Sequence, residues 1–229
     1  MEIALPAILG LALLGLALPR TVSAWARLEA QPVFEKFDTG QPPTTEELAE
    51  GRAGLDLALR WWPSSIRLVE AARVEFASAL ALAPDDPRRG AFLEQAEGHL
   101  AESLRYNPAD GLAWLILAQV RLLRGAGGEQ IAAALIQSVD MAPNYRLLWG
   151  PRAALLLRHW RYLDEAQFHV LQRHLRAIWA TSPGDRGRLL EVAQEAGELG
   201  VTAAAVGEDS ISVAAFEAYR AELGRRAGR

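Results

Sequence analysis

Pro108 to Pro143 reads PADGLAWLILAQVRLLRGAGGEQIAAALIQSVDMAP, and two helices are written into it. Asp110 follows the proline, where a short polar side chain caps a helix start. From Gly111 to Ala118 the chain is almost wholly apolar, with Trp114 and Leu117 on one face and Ala118 small enough to let a second backbone approach. Gly125, Gly127 and Gly128 then break the run and supply a turn. Ile131 to Met141 resumes helical spacing, with Leu135 and Val139 one turn apart on a matching face. Pro143 ends it, because the residue before a proline avoids helical torsions. The stretch predicts an antiparallel helix pair with Trp114 largely buried in it. Neither helix can bury its apolar face within the pair alone, so neighbours must stack on it.

The same punctuation recurs on both sides. Trp62-Pro63-Ser64-Ser65, Ala83-Pro84-Asp85-Asp86-Pro87, Asn107-Pro108-Ala109-Asp110, Ala142-Pro143-Asn144 and Ser182-Pro183-Gly184-Asp185 each end an apolar periodic run and offer a cap for the next. Thr44-x-x-Glu47 is a capping box. The intervals from Pro63 to Pro108, Pro108 to Pro143 and Pro143 to Pro183 are 45, 35 and 40 residues, a period that means stacked helical hairpins. Helices are predicted near 45–61, 65–83, 87–106, 110–124, 128–142, 145–160, 163–181, 186–199 and 209–223, with a loose loop over 201–209. Ala (42) and Leu (36) make up about a third of the 229 residues, which favours helix throughout. The expected fold is all-α, a solenoid of four or five hairpins.

The stretch from Gly111 to Ala118, closed by Pro143, resembles the tetratricopeptide repeat. Trp149 falls in register with Trp114, Ala153 with Ala118, and Asp164-Glu165-Ala166 resembles the usual opening of a second helix. The resemblance covers roughly residues 44–200. It implies that the first helix of each pair lines a concave groove. Groove positions would then be Leu112, Leu115, Gln119 and Leu122, and 35 residues on Leu147, Gly150, Ala154 and Leu157, with Arg158 at the edge. The Lys and Asn of the two-carboxylate clamp found in chaperone-binding members of that family are missing from these positions, which speaks against that ligand class.

The N-terminus has a different character. Ile3 to Pro19 (IALPAILGLALLGLALP) carries no charge. At ~1.5 Å per residue it is slightly short of a ~30 Å hydrocarbon core, unless Arg20 snorkels and the helix continues towards Trp25. A single-pass anchor is the favoured reading. A cleaved signal peptide stays open, since Val22-Ser23-Ala24 and Ala24-Trp25-Ala26 place small residues where a signal peptidase cuts. The expected organisation is an anchor or signal segment over 1–28, a linker or irregular helix extension over 29–43, a repeat domain over 44–224 and a basic tail over 225–229.

Catalytic chemistry finds no foothold. Cysteine is absent, which removes disulfides and thiolate metal sites. The four histidines lack ligand spacing, and His169 and His174 lie about 140° apart round a helix. Gly125–Gly128 has neither the preceding strand nor the Lys of a phosphate loop. No Ser sits in a nucleophile elbow. The chain is therefore read as non-enzymatic, with no catalytic residue, cofactor or metal. A net charge of −4 argues against nucleic acid as a partner.

Charge is segregated. Residues 29–104 hold 14 acids and 7 bases, whereas 121–188 hold 5 acids and 10 arginines, together with Trp149, Trp160 and Trp179. Either the Arg stems cover the solenoid surface with the Trp rings as core, or the stretch presents an Arg/aromatic surface to an anionic partner such as an acidic protein segment, a lipid headgroup or an acidic glycan. Gln119 and Arg158 are candidates in or beside the groove, Arg152 and Arg161 at its rim, and Leu112, Leu115 and Leu147 for apolar contact. Met141 to Pro183 is similar to small membrane-anchored proteins encoded with bacterial exopolysaccharide or O-antigen synthesis genes. That resemblance implies an accessory scaffold of the inner membrane with a periplasmic body, binding protein partners. The flanking positive charges, Arg20 and Arg27, argue for a cytoplasmic body instead. Two other readings stay open: a tethered assembly factor for cytochrome maturation or secretion, and an anionic glycan- or lipid-binding module.

Overall fold

The computed structural model describes residues 4–181 and 183–207, and among these the chain is all-helical with no strand. Eleven α-helices follow one another: α1 Ala4–Ala26, α2 Gln31–Thr39, α3 Thr45–Trp61, α4 Ser65–Leu80, α5 Pro87–Tyr106, α6 Gly111–Leu123, α7 Gly128–Met141, α8 Trp149–His159, α9 Glu165–Thr181, α10 Pro183–Ala196 and α11 Leu199–Val206. Short 3-10 turns cover Arg27–Ala30, Arg146–Leu148 and Trp160–Tyr162. Pro63, Pro84, Pro108, Pro143 and Pro183 all fall at helix junctions. The caps do their part: Thr44 and Glu47 close a capping box, Ser64 accepts from Arg67 N–H, Asp86 from Arg88 N–H, and Asp110 from both Leu112 and Ala113 N–H. The predicted helix at 209–223 and the tail at 225–229 lie outside the described residues.

The chain divides into two compact units, Met1–Pro108 and Ala109–Arg229. In the first, α3 packs against the C-terminal part of α1, the Arg27–Ala30 turn and α4, and α4 forms a hairpin with α5. Residues 29–43, expected as a connector or an irregular extension, are helical through Thr39 and place Ala30, Val33 and Phe34 in the core beside Leu48, Leu55 and Val74. Gly40, at φ +70, ends α2 in the left-handed conformation that a side chain disfavours. α1 has two parts. Its residues from Ala12 to Leu18 are exposed, whereas Ser23 and Ala26 are buried against the body. Among the described residues, no helix is long and apolar enough to cross a membrane.

The second unit opens with the predicted hairpin, α6 against α7. Beyond it the pattern changes. α8 is 11 residues long, flanked by 3-10 turns, and packs chiefly on α7 and α10. α11 lies on α9 and α10 and is helical where a loop was predicted, because Gly197 (φ +74) stops α10 and the apolar run after it restarts a helix that buries Thr202, Ala205 and Val206. Trp114 is half-buried rather than largely buried: its neighbour Leu115 points into the core, and Trp114 packs on the core's margin.

Close backbone approach fixes α3. A Cβ on Gly54 would sit 2.5 Å from the Ala26 carbonyl oxygen and 2.6 Å from Glu29 Cβ, whereas one on Gly98, exposed in α5, meets nothing. Gly54→Ala is therefore expected to destabilise the protein by about 1–3 kcal/mol, and Gly98→Ala to stabilise it by about 0.5–1 kcal/mol. Denaturant unfolding of the two variants checks this, and equal effects would refute the packing of α3.

Candidate partner-binding site

α7 ends without a backbone cap at Ala142, and an arginine supplies what is missing. Arg152, on α8, donates from Nη1 to the Ala142 carbonyl at 2.8 Å and from Nε to Ser138 Oγ at 2.9 Å. Ser138 Oγ in turn donates to the Gly111 carbonyl at the start of α6. Gly111 is required there, since a Cβ would come within 2.8 Å of Arg152 Nη2 and 2.6 Å of Ala142 Cβ. The guanidinium is wholly buried, and desolvation lowers its pKa to about 10, so it stays charged at neutral pH. This corrects the expectation that Arg152 lies at an exposed rim: the carbonyl end of α7 draws it inward. His174 of α9 is buried too. Desolvation first, and the charge of Arg152 second, lower its pKa to about 4 against a backbone hydrogen bond with Trp149, so the ring is neutral. Arg152 Nη2 and His174 Nε2 have no hydrogen-bond partner among the described residues.

On the outer side of the same helix lies a pocket of about 240 Å³. Its floor is apolar, from Trp149 and Ala153 of α8, Ile178 of α9, and Leu189 and Val192 of α10. Its mouth carries Arg146, Arg188, Asp185 and Leu147. Arg146 Nη2 pairs with Asp185 Oδ2 at 2.7 Å, and its guanidinium lies 5.6 Å from the Trp149 ring centre. Trp149 is fixed by donating Nε1–H to the Pro143 carbonyl at 2.9 Å. Arg188 is exposed and makes no ion pair or hydrogen bond among the described residues. The mouth thus holds one cation in excess, above an apolar floor.

The sequence candidates scatter. Leu147 borders the pocket and is 76% exposed. Leu115, expected in a groove, is core instead, 3% exposed, and Leu112 packs against the same core. Gln119 is half-buried on α6, away from the pocket. Arg158 is exposed near the end of α8 and does not line the pocket. Arg161 lies 4.8 Å over the Trp160 ring and pairs with Glu198 at 2.9 Å. Of the positions carried over from the Trp114 register, Leu147 and Gly150 line the pocket, whereas Ala154 does not and Leu157 is buried. Arg188 and Val192 were missed because α10 contributes them from outside the repeat register. Their signal was the end of the basic stretch, which Arg188 closes.

The remaining histidines are scattered. His99 Nδ1 lies 3.0 Å from the buried Glu75, His159 bonds the Leu155 carbonyl, and His169 bonds Gln172. Among the described residues no three His, Asp or Glu side chains gather where they would hold a metal.

Two stability predictions come from the buried cluster. Arg152→Ala leaves Ser138 and the Ala142 carbonyl without their donor and should cost about 3–5 kcal/mol in thermal or denaturant unfolding. His174 binds its proton less tightly folded (pKa about 4) than unfolded (about 6.5), so its neutral form contributes stability above pH 6.5 that is lost as pH falls towards 4. The loss amounts to about 3 kcal/mol. Wild type minus His174→Leu, in urea titrations across that window, should show this slope; parallel curves would disprove it.

No family model, curated protein or solved structure matches this chain, so the site is read from its own geometry.

Proposed function

We propose that the chain is a non-catalytic scaffold tethered to a bacterial membrane, whose second unit captures a protein segment carrying an aliphatic side chain next to a carboxylate. One observation carries this reading: the pocket with Trp149, Ile178 and Leu189 as floor has at its mouth an exposed Leu147 and an Arg188 that makes no ion pair among the described residues. A partner's apolar side chain gains by leaving water there, and its acid meets the excess charge. The burial of Trp179 and Trp149, at 4% and 8% exposure, weighs against a glycan-binding module, which needs open aromatic faces. The α6–α7 hairpin and the proline-bounded helices support a tetratricopeptide-like array, and the uncharged run in α1 supports the tether. The resemblance of residues 141–183 to accessory proteins of polysaccharide synthesis supports an inner-membrane assembly with a periplasmic body.

A photo-crosslinking residue in place of Leu147, in the full chain in its native membrane, should give a discrete protein adduct. Its yield should fall about five-fold or more with Arg188→Glu, and also in 1 M salt, where the screening length shrinks to ~3 Å. Circular dichroism should be unchanged, since Arg188 is exposed and makes no ion pair or hydrogen bond among the described residues. An adduct indifferent to both charge reversal and salt would refute the proposed site.

A further inference from the structure

The turn between α3 and α4 reads Trp61-Trp62-Pro63-Ser64-Ser65-Ile66 and contains no charge. Trp61, Trp62 and Ile66 are 43%, 38% and 67% exposed. Large apolar side chains left open in this way on one turn mark a contact surface. What lies beside them identifies the contact. The Arg20 guanidinium sits 4.2 Å from the centre of the Trp62 ring, and Arg20 Nη1 donates back to the Leu16 carbonyl at 3.2 Å. Trp62 is therefore level with the last turn of the uncharged run in α1. That level is also where α1 leaves the body: Leu13, Leu14, Leu16 and Leu18 are all more than half exposed, and Ser23 and Ala26 are buried.

We infer that the α3–α4 turn is a bilayer-docking face, with Trp61, Trp62 and Ile66 seated in the headgroup layer of a phospholipid membrane around the point where α1 enters it. The inference rests on the tether proposed above. Length supports it. At ~1.5 Å per residue the uncharged run from Ile3 to Pro19 covers about 26 Å, slightly short of a ~30 Å hydrocarbon core. A short apolar run is accommodated by snorkelling, local thinning and anchors drawn to the interface. Arg20 is the first charge after the run, and tryptophans prefer the headgroup depth, where the ring is half in apolar surroundings and its N–H meets water. Arg60, exposed and without an ion pair among the described residues, flanks the turn and suits anionic headgroups. A water-facing location would leave two adjacent indoles and Ile66 uncovered, whereas a bilayer covers them with no further partner.

The test uses the full chain in vesicles of phosphatidylcholine and phosphatidylglycerol, with bromines placed shallow in the acyl chains to quench nearby tryptophans. Trp61→Phe/Trp62→Phe should reduce the lipid-quenched emission about two-fold or more, because Trp25 is the other tryptophan of the first unit. Trp179→Phe, which removes an indole buried within the second unit, should leave it unchanged. Quenching unaltered in the double variant, or aqueous iodide reaching Trp61 and Trp62 in vesicles that carry the protein, would overturn the docking face and leave the tether standing. Failure of the wild-type chain to associate with vesicles would overturn the tether, and the docking face with it.

Discussion

A buried guanidinium with no carboxylate beside it organises the second unit. Taking Arg152 out of water is costly, and the structure offsets the cost with the carbonyl end of α7, where the helix dipole is negative, and with Ser138 Oγ. Ser138 passes the connection to Gly111, so one side chain ties the end of α7, the start of α6 and the middle of α8. Two consequences follow. Burial, helped by that positive charge, keeps His174 neutral, which removes a second cation from the same interior. The direction of Arg152 also fixes the roll of α8, and this roll aims Trp149 and Ala153 at α10 and forms the floor of the pocket.

The first unit solves its buried charges with opposite charges. Glu70 on α4 accepts from Arg27 Nε at 2.8 Å and from Arg67 Nη1 at 2.7 Å, which joins the base of α1 to the helical body. Glu75, one and a half turns on, meets His99 of α5. Burial raises the Glu75 pKa, and the hydrogen bond to Glu75 raises that of His99. Both groups thus hold protons more tightly folded than unfolded, and their contribution falls as pH rises from the ordinary glutamate range through the raised His99 pKa, opposite in sign to His174. The charge segregation along the chain therefore has a structural use in each half. In the basic half much of the excess is spent internally: Arg176 donates to the Ala205 carbonyl, Arg186 to that of Trp179, and Arg161 pairs with Glu198. The surface left for an anionic partner is narrower than ten arginines against five acids suggest.

Local rules made the helices legible. Proline before a capping Ser, Asp or Thr is read within a few residues, and α3 runs from Thr45 to Trp61 as its capping box and Pro63 require. Features set by tertiary geometry were not legible. Nothing near Arg152 in sequence says that α7 lacks a cap, because the deficit lies ten residues upstream and is met through space. The half-burial of Trp114 depends on which face the later helices cover. Leu147 was reached through the 35-residue register from Leu112, and it borders the pocket. Arg188 was not, because its role depends on α10 returning to α8.

That return is also where the chain parts from a simple repeat. In a solenoid each hairpin touches only its neighbours, and the first helices of successive hairpins build one continuous groove. α6 and α7 obey this. α8 does not: shortened by 3-10 turns at both ends, it leaves space that a regular helix would fill, and α10 packs into it more closely than α9 does. α8 and α10 meet around a gap lined by Trp149 and Leu189, and this gap is the pocket. The irregularity that blurs the repeat therefore accompanies the pocket, which brings Arg146 and Arg188 together although 42 residues separate them in sequence.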